Sequence, residues 1–190
     1  MTYDKNYIRD YIKENCIYKP DEDYYFGKLP GTRYNSQFYL ASALYNPKIL
    51  YAIGKEFVRI VDNMPIGDEY QIAGREWSAI PLITYLPVHL REHRGLEINS
   101  FMVRKDPKTY GRHNMIEGTP NDLPVLLVDD LCNSTNSFVQ CDRVLTQMGF
   151  EVIGGLFAVL NKYSSAVPGW EHDRYSGQYC NTILTRDDLI

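Results

Sequence analysis

The chain has 190 residues, 44% of them apolar, enough for one domain with a core of its own. Its formal charge of −4 argues against a generally basic surface, and so against nucleic acid or an anionic membrane as the main partner. No apolar run approaches the roughly 20 residues of a membrane span. The N-terminal MTYDKNYIRD is polar and unlike a signal peptide, so a cytoplasmic protein is expected. Cys16, Cys132, Cys141 and Cys180 are scattered without a CxxC, which predicts free thiols rather than a zinc site or disulfides.

In chain order, Tyr3, Tyr7, Ile8, Tyr11 and Ile12 follow helical spacing. Residues 24–42 are aromatic and alternating, broken by Pro30 and Gly31, and read as a short hairpin that forms a flap or hood. Ile49, Leu50, Ile53, Phe57, Ile60 and Val61 mark a second amphipathic helix behind Pro47, a residue suited to a first helical turn. A strand is predicted over 70–74, a helix over 77–86 and a strand over 96–104. The strongest strand is 123–131, apolar at consecutive positions as a strand covered on both faces should be. Phe138, Cys141, Val144, Leu145 and Met148 then predict a helix closed by Gly149, and 151–160 the next strand.

Repeated βα units imply an α/β fold, a doubly wound and mostly parallel sheet with a small N-terminal hood. The expected organisation is a single domain over 1–190. Its N-terminal helix and hood occupy about 1–45, the core sheet about 46–165 and a C-terminal tail 166–190.

Two adjacent acids, Asp129 and Asp130, end the central strand, where ligands of open α/β sheets bind. The segment LCNSTNSF then runs directly into a helix, so its backbone N–H groups can converge on a phosphate at the helix's positive end. Asn133, Ser134, Thr135, Asn136 and Ser137 supply polar side chains there. Carboxylates beside a phosphate need another partner, and the vicinal hydroxyls of a ribose are suitable donors. An acid pair capping a strand, followed by an ordinary Ser/Asn helix cap, is the alternative on local spacing alone.

The apolar run, two acids and hydroxyl-rich loop resemble the phosphoribosyl pyrophosphate signature of type I phosphoribosyltransferases. FMVRKDPKTYGRHNMIEG is similar to the RRKxxKxYGxxxxxEG segment of orotate phosphoribosyltransferases, with Arg104, Lys105, Lys108, Tyr110, Gly111, Glu117 and Gly118 in place. IAGREWSAIPL resembles the family's pyrophosphate loop, and LPGTRYNSQFYLASALYNPKIL its N-terminal hood; the four blocks follow in order over roughly residues 24 to 162.

The resemblance implies that a base displaces pyrophosphate from C1 of phosphoribosyl pyrophosphate with Mg²⁺, orotate being the favoured base. It implies catalytic roles for Lys105, Lys108, Asp129 and Asp130. Arg75, Arg104, Lys105, Lys108, Tyr110, the two acids and residues 133–137 would bind phosphoribosyl pyrophosphate. The Pro/Gly-rich DPKTYGRHN is then a lid that excludes water. Mg²⁺ would be held mainly by substrate oxygens and water, without a protein cage. A homodimer is also implied, with Lys108 reaching the neighbouring subunit's site.

Lys28 lies one residue from Leu29, which occupies a position where orotate enzymes carry Lys. Lys162 occupies the position of an Arg that meets the orotate carboxylate; both are candidate base-binding residues. Thr135 in place of a loop Gly, and Tyr39 and Ala41 in place of the hood's Asp and Arg, favour an alternative. That reading is an inactive protein on the same fold that binds phosphoribosyl pyrophosphate or a nucleotide. Arg104, Lys105 and Lys108 favour the enzyme. Arg75 and Glu76 also permit a surface ion pair. His89, His93, His113 and His172 lack metal-ligand spacing and read as solvent-exposed, and Trp170 as a packing residue.

Overall fold

The computed structural model describes residues 3–19, 37–107, 114–132, 136–162 and 180–189. Helix α1 (Lys5–Asn15) starts where the Asp4 carboxylate accepts the Tyr7 N–H at 3.1 Å, and it buries Ile8 and Ile12. Helix α3 (Pro47–Val61) is capped by Asn46, whose side chain accepts from the N–H groups of Lys48 and Ile49; Pro47 takes the first turn as expected. Between them, β1 (Ile17–Tyr18) pairs antiparallel with β2 (Gln37–Phe38), and a short α2 (Ala41–Leu44) follows. The end of the expected hood thus pairs with the strand behind α1. Residues 20–36, Lys28 among them, lie outside the described residues.

The core is a six-stranded sheet. Its strands are β3 (Gln71–Arg75), β4 (Ser100–Val103), β5 (Ile116–Gly118), β6 (Val125–Cys132), β7 (Val152–Asn161) and β8 (Cys180–Thr185). They lie in the order β5-β4-β3-β6-β7-β8, all parallel except β5, which runs antiparallel to β4. Crossover helices α4 (Ile80–Arg94) and α5 (Asn136–Gln147) cover opposite faces. Leu126 and Val128 of β6 pack in the cluster that holds α1, α3 and α4; Val125 and Leu127 pack with Phe138, Cys141 and Leu145 of α5. Burial on both faces explains the consecutive apolar run, at about 1.5–3 kcal/mol for each fully buried side chain.

Some features depart from the sequence expectation. The helix expected over 77–86 begins at Ile80 and continues through Pro87 to Arg94, ending at Gly95 with a left-handed φ of 68°. Pro87 removes one helical hydrogen bond, but Leu86, His89 and Leu90 beyond or beside it are buried, and their packing carries the helix on. Strand β5 and strand β8 were not foreseen, the latter inside the stretch read as a tail. His89 is not solvent-exposed: it is 1% accessible, and its Nδ1 lies 3.0 Å from the Tyr85 hydroxyl. Burial, followed by the charges of His93 and Lys55, pushes its pKa down to about 4. Cys16, Cys132 and Cys141 are buried, and none of them is in a disulfide.

Candidate active site

The chain leaves β3 through α4 to β4 on one side, and leaves β6 through α5 to β7 on the other. The carboxyl ends of the adjacent strands β3 and β6 therefore form a topological switch point, the place where open sheets leave a crevice. Gly74 sits at its floor. A Cβ there would lie 2.4 Å from the Ala79 Cβ and 2.9 Å from the Val128 carbonyl, so only glycine lets the β3–α4 loop fold down against β6. Just beneath the crevice, Gly74, Arg75, Asp129 and Ser137 close together with Phe138 and Cys141 of α5 around a gap too small for a water molecule.

Asp129 is only 6% accessible. Its Oδ1 accepts the Ser78 hydroxyl and the Asp130 N–H, both at 2.9 Å. Burial above all, and then the neighbouring Asp130 charge, raises its pKa well above the usual carboxylate value. Asp130 is half-buried, and its Oδ1 accepts the Leu131 N–H at 2.7 Å. The two acids therefore differ: Asp129 is a buried group held by Ser78, and Asp130 is the more accessible one. Ser78 was missed by sequence reasoning. A hydroxyl inside a segment already recognised as a pyrophosphate loop was the only signal.

The basic segment at the end of β4 splits in the same way. Arg104 points between two acids, with Nη1 3.9 Å from Glu76 and 3.6 Å from Glu117. The Lys105 N–H donates to Glu76 Oε1 at 2.8 Å while its side chain is exposed. Glu76 thus turns to the β4 end and ties the β3–α4 loop to it, in place of the Arg75–Glu76 pair that adjacent charges permitted. The peptide bond between Glu76 and Trp77 is cis.

At the far side of β6, the Lys162 N–H donates to the Cys132 carbonyl at 3.0 Å, which brings Lys162 to the same carboxyl edge as Asp130. Burial, then the Arg186 charge, lowers its pKa. Asn136 opens α5 and Ser137 is half-buried in its first turn. Lys108, Tyr110, Gly111, Asn133, Ser134 and Thr135 lie outside the described residues, as do His113, His172 and Trp170. Among the described residues no group of three or more His, Cys, Asp or Glu is placed to hold a metal ion, and no helix is long and apolar enough to cross a membrane.

No protein-family model matches the chain. An orotate phosphoribosyltransferase of Pyrococcus abyssi is 32% identical over 139 residues, covering 72% of this chain and 71% of the relative. That of Pyrococcus horikoshii is 28% identical over 167 residues, covering 86% and 82%. Among solved structures, a phosphoribosyltransferase from Corynebacterium diphtheriae superposes with a TM-score of 0.74 at 21% identity, covering 100% of this chain and 99% of that one. Mycobacterium tuberculosis orotate phosphoribosyltransferase in complex with phosphoribosyl pyrophosphate gives 0.69 at 20% identity, covering 97% and 98%. These two structures share the fold.

Proposed function

The chain belongs to the orotate phosphoribosyltransferase family, and from that premise we propose that it transfers the 5-phosphoribosyl group of phosphoribosyl pyrophosphate to orotate. The bond from C1 to the pyrophosphate oxygen breaks, a bond from C1 to a ring nitrogen forms, and the products are orotidine 5′-phosphate and pyrophosphate. The observation that carries this reading is the Asp129–Asp130 pair, at the carboxyl end of β6, at the switch point and directly before α5, in a chain 32% identical to such an enzyme.

In this reading Asp130 accepts hydrogen bonds from the ribose hydroxyls. Asp129, its Oδ1 fixed by Ser78, accepts the neighbouring hydroxyl with its second carboxylate oxygen. Residues Asn133 to Ser137 and the start of α5 receive the 5-phosphate. Arg75, Lys105 and Lys108 neutralise the departing pyrophosphate, with Tyr110 in the lid beside them, and preorganised cations do this far better than solvent. Arg104 joins them when its two carboxylate partners release it. Lys162, with Lys28, meets the orotate carboxylate as a point charge.

Mg²⁺, when bound, supplies charge neutralisation on the pyrophosphate oxygens. A half-buried Asp130 carboxylate, in a site where the described residues form no cage of metal ligands, suits an ion that keeps much of its coordination for water and substrate. The reading extends to a cytoplasmic homodimer in which Lys108 serves the partner's site; sedimentation as a monomer under assay conditions would remove that part. The test of function is incubation with phosphoribosyl pyrophosphate, Mg²⁺ and a panel of orotate, uracil and purine bases while pyrophosphate release is followed. Orotate should turn over fastest. Faster turnover of a neutral base would reject orotate, and no release with any base would reject the transfer.

A further inference from the structure

Glu76 holds the stem of the basic segment at two points. Its N–H donates to the Val103 carbonyl at 3.1 Å, and its Oε1 accepts the Lys105 N–H at 2.8 Å. Those are the two peptide groups that flank Arg104, whose own N–H donates to the Met115 carbonyl at 2.8 Å. The backbone of Arg104 is therefore fixed by the β3–α4 loop on one side and by the chain entering β5 on the other. Two residues beyond Glu76, the same loop carries Ser78, which holds Asp129.

The Arg104 side chain is held less tightly than its backbone. Its Nη1 is 3.9 Å from Glu76 and 3.6 Å from Glu117, both beyond a direct hydrogen bond, and its Nε donates to the Asp106 carbonyl at 3.3 Å. A bidentate arginine–carboxylate pair closes to about 2.7–2.9 Å. Charge rather than a fork of hydrogen bonds keeps this guanidinium between the acids, and a hold of that kind is exchangeable. Two carboxylates around one guanidinium also leave a net negative charge, which opposes a second anion. Glu76 is the more enclosed of the two, its side chain 13% accessible against 36% for Glu117, so water screens its charge less. Arg104 borders the same open space as Arg75 and Lys105, and an anion entering there competes with Glu76 for it.

We propose that Glu76 is a positioning residue that acts through Arg104: its carboxylate competes with pyrophosphate for the guanidinium and takes it back as the product leaves. That the competing anion is pyrophosphate rests on the phosphoribosyl-transfer reading; the loose hold on Arg104 does not. Glu76 therefore lowers the affinity for pyrophosphate, and its two bonds to the Arg104 backbone keep the waiting carboxylate within reach of the side chain.

The test is titration calorimetry of the full chain with inorganic pyrophosphate, for wild type, Glu76→Gln, Glu76→Asp, Arg104→Gln and Glu76→Gln with Arg104→Gln, circular dichroism checking each fold. Gln matches Glu in shape and its Oε1 still accepts the Lys105 N–H, so Glu76→Gln removes the charge and keeps the tether. It should bind pyrophosphate about fivefold more tightly, the ordinary effect of removing one partly enclosed carboxylate beside a guanidinium. The gain should narrow as salt is raised. Glu76→Asp keeps the charge and should show no gain. Arg104→Gln should bind pyrophosphate more weakly than wild type, and the gain from Glu76→Gln should largely vanish in that background. With orotate as acceptor, pyrophosphate should inhibit Glu76→Gln at about fivefold lower concentration than wild type.

A bracing role alone predicts the opposite sign, because a loosened Arg104 would bind pyrophosphate less well. Equal or weaker binding by Glu76→Gln therefore overturns the proposal, as does a gain that persists in full without Arg104 or appears equally in Glu76→Asp. Orotate turnover by wild type with no gain in Glu76→Gln would sink this inference and leave the proposed function standing. An Arg104-dependent gain in a protein that transfers to no base would do the reverse.

Discussion

Replacing Asp129 by Asn should make the protein more stable and worse at binding its substrate. Asp129 is 6% accessible and sits beside a second carboxylate. The Asn Oδ1 can still accept the Ser78 hydroxyl and the Asp130 N–H, so the substitution removes the charge and keeps the two hydrogen bonds. A buried ion costs several kcal/mol, and those two bonds offset much of it. A net gain of about 1 kcal/mol is expected, which for a chain of this size raises Tm by about 2–4 °C.

The effect has a pH signature. Because the Asp129 pKa is raised in the fold, first by burial and then by Asp130, its contribution to stability is fully present below its unfolded value and is lost as pH rises through the folded one. Below about pH 4 the side chain is protonated in both states, and wild type and variant should melt together. At neutral pH and above, the variant should melt higher. Differential scanning calorimetry from pH 3 to 9, paired with calorimetric titration of phosphoribosyl pyrophosphate, reads both arms. Substrate affinity should fall by at least about tenfold. A lower Tm at pH 8, or a difference independent of pH, would show that Asp129 is held as a stabilising ion and refute the reasoning.

Lys162→Ala should lower kcat/KM for orotate by more than about tenfold while sparing uracil, which has no carboxylate. Because burial and Arg186 lower the Lys162 pKa, the orotate preference should fade as pH rises toward that depressed value; equal losses for both bases would leave Lys162 a structural role only. Gly54→Ala should destabilise, since the added Cβ would meet the buried His89 ring at 2.8 Å. That overlap costs about 1–3 kcal/mol against a helix-propensity gain of about 1 kcal/mol. Thermal melts in a His89→Ala background should reverse the sign, and a higher Tm for Gly54→Ala alone would contradict the close packing.

The sequence by itself determined much of this protein. Helical spacing marked α1, α3 and α5, the unbroken apolar run marked β6, and the repeated βα order implied the parallel sheet, because each signal lies within a few consecutive residues and reflects which faces are buried. The acid pair and the basic block were legible for the same reason. What only the tertiary structure decided are pairings between distant segments. Ser78 reaches Asp129 across 51 positions and Glu76 reaches the Lys105 N–H across 29. These bonds separate a buried acid from an accessible one and an engaged arginine from an exposed lysine. Strand β8 completes the sheet beside β7 from a stretch whose composition resembles a tail. His89, read as solvent-exposed, is buried at the face that α4 turns toward α3, where Gly54 leaves space for its ring. Local propensity carries no information about such meetings, since they depend on strand order and on which face each crossover helix covers.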